Sequence, residues 1–189
     1  MHWVNVAAMG FTMLMTGCDT TQTVPNAMGY AGRDCSAYRP YVWTEARPIP
    51  DGDRRGTLIG PLCIENDEPR LGEVELAIDI SHPCTSDLEI SLAYDADGDG
   101  NPEARAPVEF HRSRPAFDAE QRNAVSPSLA GTYYFRDGAE EYETAFAGLR
   151  ELPRGHAFYL AVADTAGTDA GSVERWAVYL PESGAIVQR

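Results

Sequence analysis

An all-β protein built as an antiparallel sandwich is the fold class that this sequence predicts. From residue 57 onward, apolar side chains alternate with polar ones, the period of a strand that buries one face. Short segments rich in Gly, Pro and Asp, such as DGDRRG, HPCTSD and DADGDGNP, separate these runs and are typical of turns. The one helix-like stretch, EEYETAFAGLREL, is short. Many brief strands with one buried face favour two packed antiparallel sheets.

The alternation also predicts which side chains of each strand face the core. For the four clearest runs these are Val74, Leu76, Ile78, Ile80 and His82; Leu88, Ile90 and Leu92; Phe158, Leu160 and Val162; and Trp176, Val178 and Leu180. An earlier run, TLIGPLCIE, places Leu58, Leu62 and Ile64 on one parity. Shorter candidate strands are PVEFH, around Val108 and Phe110, and TYYF at 132–135.

The charge of the chain excludes one class of partner. Its 189 residues include 29 acidic and 15 basic ones, all of the latter arginine, for a formal net charge of −14. Nucleic-acid binding needs basic side chains that displace counterions from phosphates, so we expect no nucleic-acid partner. A negative field favours cations or basic partners. The alternative is that the acidity only keeps an exported protein soluble.

The amino terminus has the pattern of a bacterial lipoprotein. Residues 3–17 are largely apolar, but they are too few to span a bilayer and fit the apolar region of a signal peptide. The ending Met15-Thr16-Gly17-Cys18 resembles the lipobox, although leucine is usual in place of Met15 and a basic leader segment is missing. We therefore predict a signal peptide over 1–17 and lipidation of Cys18. The alternatives are an ordinary secretory peptide with an incidental cysteine, or a start codon assigned too far downstream.

Lipidation of Cys18 implies an exported protein that is anchored to the bacterial cell membrane or outer membrane. The protein would face the periplasm or the exterior and contact the membrane only through the lipid. Residues 18–44 are predicted to be a tether, 45–182 the sandwich and 183–189 a tail. Tyr38, Tyr41 and Trp43 are expected to pack on the flank of the domain rather than to form a ligand platform.

Several separated motifs resemble the P domain, or homo B domain, which follows the catalytic domain of kexin- and furin-like convertases and of many bacterial subtilisin-like proteases. The family pattern is an I-P-D opening, a strand ending I-x-H before D-L, and a final D-T-x-x-x-D-x-G-x-x-x-x-W. The matching residues are Ile49-Pro50-Asp51, Ile80 with His82, Asp87-Leu88, and Asp164, Thr165, Asp169, Gly171 and Trp176. The resemblance covers roughly residues 45–182.

The resemblance implies a jelly-roll-like β-sandwich related in shape to galactose-binding domains. In convertases such a domain stabilises the attached protease and tunes its dependence on pH and calcium; it is not the protease. The sequence departs from the family in three places. Phe158 replaces a tryptophan, Arg154-Gly155 replaces asparagine-glycine, and the acidic loop DADGDGNPE replaces a short S-P-x-G-T turn.

No catalytic residue is predicted. The string Asp164-Thr165-Ala166-Gly167 is similar to the Asp-Thr-Gly of subtilisin triads, but the P-domain pattern continues through it to the final tryptophan. Neither an H-G-T nor a G-T-S segment accompanies it, and a triad needs nucleophile, base and orienting acid together. His82 is expected to be a buried structural histidine. Asp87 and Asp164 are expected to accept backbone N–H bonds in turns.

Three functions are compatible with these observations. The first is a non-catalytic binding or stabilising module that docks to a protein partner at the envelope. The second is an accessory subunit of a separately encoded subtilisin-like serine endopeptidase. The third is carbohydrate binding through Tyr133, Tyr134 and Tyr142.

The loop that replaces the family turn has the D-x-D-x-D-G opening of an EF-hand-like calcium loop. Alternate oxygen ligands let a tight turn surround a hard cation, and Gly100 permits the sharp bend. The predicted Ca²⁺ ligands are Asp95, Asp97, Asp99, the Asn101 carbonyl and Glu103. Ala106 stands where an EF-hand has its bidentate glutamate, which predicts weak affinity. The alternative is an acidic, solvated hairpin tip.

The three cysteines that remain after Cys18 cannot all pair within the chain. An exported protein permits disulfides. Cys63–Cys84 is the first expectation because both lie in the predicted domain, and Cys35 with either of them is the alternative.

Overall fold

Two β-sheets make up most of the part of the chain that the structure describes. The computed structural model describes residues 19–23, 38–65, 68–108, 127–136, 143–167 and 169–181. One sheet contains β1 (Asp19–Thr23), β2 (Tyr38–Trp43), β3 (Arg47–Ile49), β5 (Glu75–His82), β8 (Pro127–Arg136) and β10 (Gly171–Pro181). The other contains β4 (Thr57–Cys63), β6 (Leu88–Asp95), β7 (Ala104–Val108) and β9 (Ala157–Asp164). Helix α1 (Glu143–Arg150) is short, as predicted, and the predicted antiparallel β-sandwich is confirmed.

The strand order joins segments that are far apart in the chain. The larger sheet runs β1-β8-β5-β10-β2, and β3 also pairs with β10; the smaller sheet runs β4-β9-β6-β7. The pairs are antiparallel except for β1 with β8. The central pairs are β5 with β10 and β6 with β9, so the last two strands of the chain complete the middle of each sheet.

The predicted inward faces form the core. The side chains that are at most 5% exposed and were predicted to face inward are Val74, Leu76, Ile78, Ile80, His82, Ile90, Leu92, Phe158, Leu160, Val162, Trp176, Val178 and Leu180. Leu88 is half-buried against the same cluster. The period-two interpretation is therefore confirmed for the central strands, because each has one face against the opposite sheet.

Strand β4 departs from its predicted parity. Leu58 was expected to face inward but is 42% exposed, whereas its neighbour Ile59 is buried. The register with β9 shifts between Ile59 and Leu62, so the inward parity changes there and Leu62 and Ile64 are buried as predicted. A one-residue irregularity in a strand moves every side chain beyond it to the opposite face of the sheet.

The sheet begins earlier than predicted. β2 lies in the segment expected to be a tether, and it pairs with β10 from Trp43 opposite Trp176 to Tyr38 opposite Pro181. Tyr41 and Trp43 are half-buried and pack against the core, as expected. Hydrogen bonding to β10 therefore holds this part of the predicted tether in the larger sheet.

The expected Cys63–Cys84 disulfide is wrong. Cys63, on the edge strand β4, is exposed and has a free thiol. Cys84, which follows β5 in the other sheet, is 1% exposed and disulfide-bonded. The free thiol of Cys63 therefore excludes a bridge between these two cysteines.

The leader over 1–17, Cys18, Cys35 and the tail over 183–189 also lie outside the described residues. Among the helices of the described segments, none is long and apolar enough to cross a membrane.

Trp176→Ala tests the packing of the two sheets. Trp176 is 1% exposed, and no hydrogen-bond partner reaches its Nε1 among the described residues, so the substitution removes packing alone. We expect a loss of about 3–5 kcal/mol in the free energy of unfolding, measured by urea denaturation. The control is Arg175→Ala on the same strand, which removes an exposed ion pair with Asp79 (3.1 Å) and should cost at most about 1 kcal/mol. Equal stability of the two variants would contradict the inward orientation of Trp176.

Candidate functional site

The acidic loop begins at the last residue of β6, where Asp95 is only 1% exposed. Its Oδ1 accepts the N–H of Gly98 (2.6 Å) and its Oδ2 accepts the N–H of Gly100 (2.9 Å). One buried carboxylate thus folds the loop back on itself. Gly100 has φ +84°, a conformation that strains any other residue, so the predicted bend is confirmed.

The remaining acidic side chains of the loop turn toward Asp95. Asp97 accepts the N–H of Asp99 (3.1 Å), Asp99 accepts that of Asn101 (2.7 Å), and Glu103 reaches back to that of Ala96 (2.7 Å). One carboxylate oxygen from each of Asp95, Asp97, Asp99 and Glu103 lies within 4.8 Å of the other three. The structure therefore brings together the four carboxylates that were predicted as calcium ligands. The spacing of their oxygen atoms suits a single cation.

Residues outside the predicted ligand set support this loop. The ring of His156 packs over Gly98, and the N–H of His156 donates to the carbonyl of Asp95 (3.3 Å). The hydroxyl of Tyr94 donates to the Pro153 carbonyl (2.7 Å) and accepts the N–H of Gly155. Burial raises the pKa of Tyr94, so this hydroxyl keeps its proton. These contacts join distant segments and have no local sequence signal.

A second cluster forms around His82, the last residue of β5. Its Nδ1 lies 2.8 Å from the Cys84 carbonyl oxygen and 3.1 Å from the Cys84 nitrogen. Its Nε2 lies 3.4 Å from Oδ2 of Asp164, the last residue of β9, and both side chains are completely buried. An oxygen of Asp169 joins them, and the three ligand atoms lie within 4.8 Å of one another. The expected burial of His82 is confirmed.

Both predicted turn aspartates take part in this cluster. Oδ1 of Asp164 accepts the N–H of Ala166 (3.2 Å), as expected. The backbone carbonyl of Asp87, rather than its carboxylate, accepts bonds from the N–H (2.7 Å) and hydroxyl (3.0 Å) of Thr165. The carboxylate of Asp87 lies within 4.8 Å of Asp169.

Asp169 is the member of the cluster to which the sequence assigned no role. Its Oδ1 is buried and has no hydrogen-bond partner within the segments that the structure describes. Burial raises the pKa of the Asp169 carboxyl above its ordinary value; His82 opposes the rise, and the carboxylates of Asp164, Asp87 and Asp51 add to it. The site thus concentrates negative charge around one imidazole.

Gly171, at the start of β10, permits the approach of His82. A Cβ at this position would lie 2.4 Å from Cδ2 of the imidazole and 2.5 Å from the Ser81 carbonyl oxygen. The motif residues His82, Asp87, Asp164, Asp169 and Gly171 therefore meet at one place, whereas Trp176 lies further along β10 in the core.

Of the tyrosines predicted for carbohydrate binding, the two that the structure describes differ in exposure. Tyr133 is 4% exposed and its hydroxyl accepts the N–H of Ala130 (2.9 Å), whereas Tyr134 points outward at 37% exposure. Tyr142 lies outside the described residues. His111 and Phe110 also lie outside them.

Comparison with known proteins gives weak similarities. No family model matches the chain, and no curated protein matches it. A chain in the crystal structure of the Aeromonas sobria serine protease and chaperone complex is 12% identical with a TM-score of 0.36, over 78% of this chain and 28% of that one. The structure of the Aeromonas sobria serine protease is 9% identical with a TM-score of 0.33, over 75% and 27%. This chain therefore spans little more than a quarter of the length of those proteins, and similarity at this level carries no functional argument.

Gly171→Ala tests the contact between β5 and β10. Because the added Cβ collides with backbone and a buried ring, we expect destabilisation of about 1–3 kcal/mol, measured by urea denaturation. Gly148→Ala is the control, since Gly148 lies in α1 with open space around its Cα. That substitution should stabilise by roughly 0.5–1 kcal/mol through the helix preference of alanine. A Gly171→Ala variant as stable as the wild type would contradict the close approach of His82.

Proposed function

We propose that this chain is a non-catalytic module of the P-domain type, displayed by a lipid on Cys18 at the bacterial envelope, where it binds and stabilises a protein partner. The observation that carries the proposal is the convergence of motif residues. Five positions that matched the P-domain pattern at distant points of the sequence, His82, Asp87, Asp164, Asp169 and Gly171, lie together at the ends of β5 and β9 and the start of β10. Because all five residues lie at the same junction of strands, one sequence pattern includes all of them.

The position of His82 also favours a structural role. A general base must reach the substrate proton, but this imidazole is completely buried between β5, β9 and β10. His156 is exposed and packs on the acidic loop. A specific candidate for the partner is a separately encoded subtilisin-like endopeptidase, since P domains stabilise such enzymes within one chain.

We also propose that the acidic loop binds Ca²⁺ and so stabilises the β6–β7 connection. Four carboxylates that lie this close repel one another, and together they offer the oxygen ligands that calcium prefers. The buried Asp95 is already fixed by backbone N–H groups, so little further ordering is needed. The missing twelfth-position glutamate and the exposure of Asp97, Asp99 and Glu103 indicate an affinity on the order of the 10⁻⁴–10⁻³ M found in extracellular modules.

The partner is tested by affinity isolation of the full-length, tagged chain from crosslinked envelopes. We expect one protein to be enriched with the wild type and depleted with the destabilised Trp176→Ala variant. We expect Cys18→Ser to shift the chain from the membrane to the soluble fraction. Purified protein should not hydrolyse casein. Hydrolysis that follows the chain through purification and is blocked by a serine-directed inhibitor would overturn the non-catalytic proposal. Recovery of the same proteins with the wild type and with Trp176→Ala would overturn the protein-binding proposal. Binding of the wild type to glycans on an array would also overturn it.

Calcium binding is tested by calorimetry of the full-length chain. Ca²⁺ at ten times its dissociation constant stabilises the folded state by about 1.4 kcal/mol. This corresponds to a rise of roughly 3–6 °C in the melting temperature of a domain of this size. The Asp97→Ala/Asp99→Ala double variant should show no rise, and Mg²⁺ should act weakly because it demands a stricter geometry. An identical melting temperature with and without Ca²⁺ in the wild type would leave the loop as an acidic hairpin tip.

A further inference from the structure

The cluster of His82, Asp164 and Asp169 has the composition and spacing of a transition-metal site. Tetrahedral Zn²⁺ with nitrogen and oxygen ligands at about 2.0–2.1 Å places its donor atoms roughly 3.3 Å apart. Nε2 of His82 and Oδ2 of Asp164 are 3.4 Å apart, which is long for a hydrogen bond but suits two ligands of one ion. An oxygen of Asp169 lies within 4.8 Å of both.

One tautomer of the imidazole directs a free lone pair at the two carboxylates. In that tautomer Nδ1 donates to the Cys84 carbonyl oxygen at 2.8 Å; in the other tautomer Nδ1 accepts the Cys84 N–H at 3.1 Å. Histidine ligands of metals characteristically donate their second ring N–H to a backbone carbonyl or carboxylate, as in the first tautomer. In the first tautomer Nε2 faces Asp164 and Asp169, and three electron-rich atoms converge on one point.

The charge of the cluster favours a divalent ion over a single proton. Asp164 is completely buried, and Oδ1 of Asp169 is buried with no donor among the described residues. Asp87 and Asp51 add negative charge nearby. One proton on the imidazole would balance only one of these carboxylates, and an unpaired buried charge is costly.

We propose that His82 Nε2, Asp164 and Asp169 bind a zinc-like divalent transition-metal ion that joins the ends of β5 and β9 to the segment before β10. One imidazole with two carboxylates suits zinc and its neighbours, whereas calcium prefers oxygen ligands alone. This site is separate from the acidic loop, and its existence does not depend on the proposed protein-binding function.

The test measures Zn²⁺ binding to full-length, chelator-treated protein by titration calorimetry, with Co²⁺ absorption to report tetrahedral coordination. All proteins carry Cys63→Ser, because the exposed thiol would compete for zinc. We expect one tight zinc equivalent, a tetrahedral cobalt spectrum, and at least a tenfold loss of affinity in Asp169→Asn, which keeps the size of the side chain. The matched control, Asp97→Asn/Asp99→Asn in the acidic loop, should bind zinc as the wild type does.

Absence of zinc binding to the wild type would overturn the proposal. Equal affinity in Asp169→Asn, or loss of binding in the loop variant instead, would also overturn it and assign the ion elsewhere. If circular dichroism shows that Asp169→Asn does not fold, nuclear magnetic resonance of the protein without that substitution tests the site. Bound Co²⁺ should then broaden the ring proton resonances of His82 and leave those of His156 sharp, and the reverse pattern would contradict the assignment.

Discussion

A completely buried imidazole at the end of a core strand is the constraint on which much of this structure depends. His82 can lie there only because Gly171 has no side chain and because acceptor groups surround the ring. Removing a charged or polar group from water costs several kcal/mol unless partners replace the solvent. The ends of β5 and β9 and the start of β10 must therefore stay together, and this requirement explains why residues 82, 164 and 171 occur as one pattern.

The two carboxylate clusters lie at opposite ends of one strand pair. In the antiparallel pair of β6 and β9, Leu88 lies opposite Asp164 and Asp95 lies opposite Ala157. Each cluster is built on an aspartate that ends a strand, is buried, and accepts backbone N–H bonds from the turn that follows. Seven residue steps separate the ends of β6, about 23 Å at the usual rise of a strand, so a single ion cannot serve both clusters.

Several residues with P-domain-like spacing lie at one of these ends, and the acidic loop lies at the other. His82, Asp164, Asp169 and Gly171 meet at the first end, Trp176 lies in the core, and the acidic loop meets Arg154-Gly155 at the second end. Gly155 packs so closely on Ala96 that a Cβ there would lie 2.1 Å from its carbonyl oxygen, and Arg154 donates to the Tyr41 hydroxyl of β2 (3.3 Å). The acidic loop and the segment Arg154-Gly155 are thus in contact at this end of the strand pair.

Sequence alone determined the class of fold, the inward faces of the central strands and the ligand-like spacing of the acidic loop, because period-two burial and tight-turn chemistry are local properties. It did not determine the exposure of Leu58, which depends on a register shift against β9, nor the pairing of Tyr38–Trp43 with a strand that follows more than a hundred residues later. The free thiol of Cys63 and the meeting of Asp169 with His82 likewise depend on which strand ends lie side by side. Such contacts are decided by the tertiary structure, since hydrogen bonding between distant strands leaves no periodic trace in either strand.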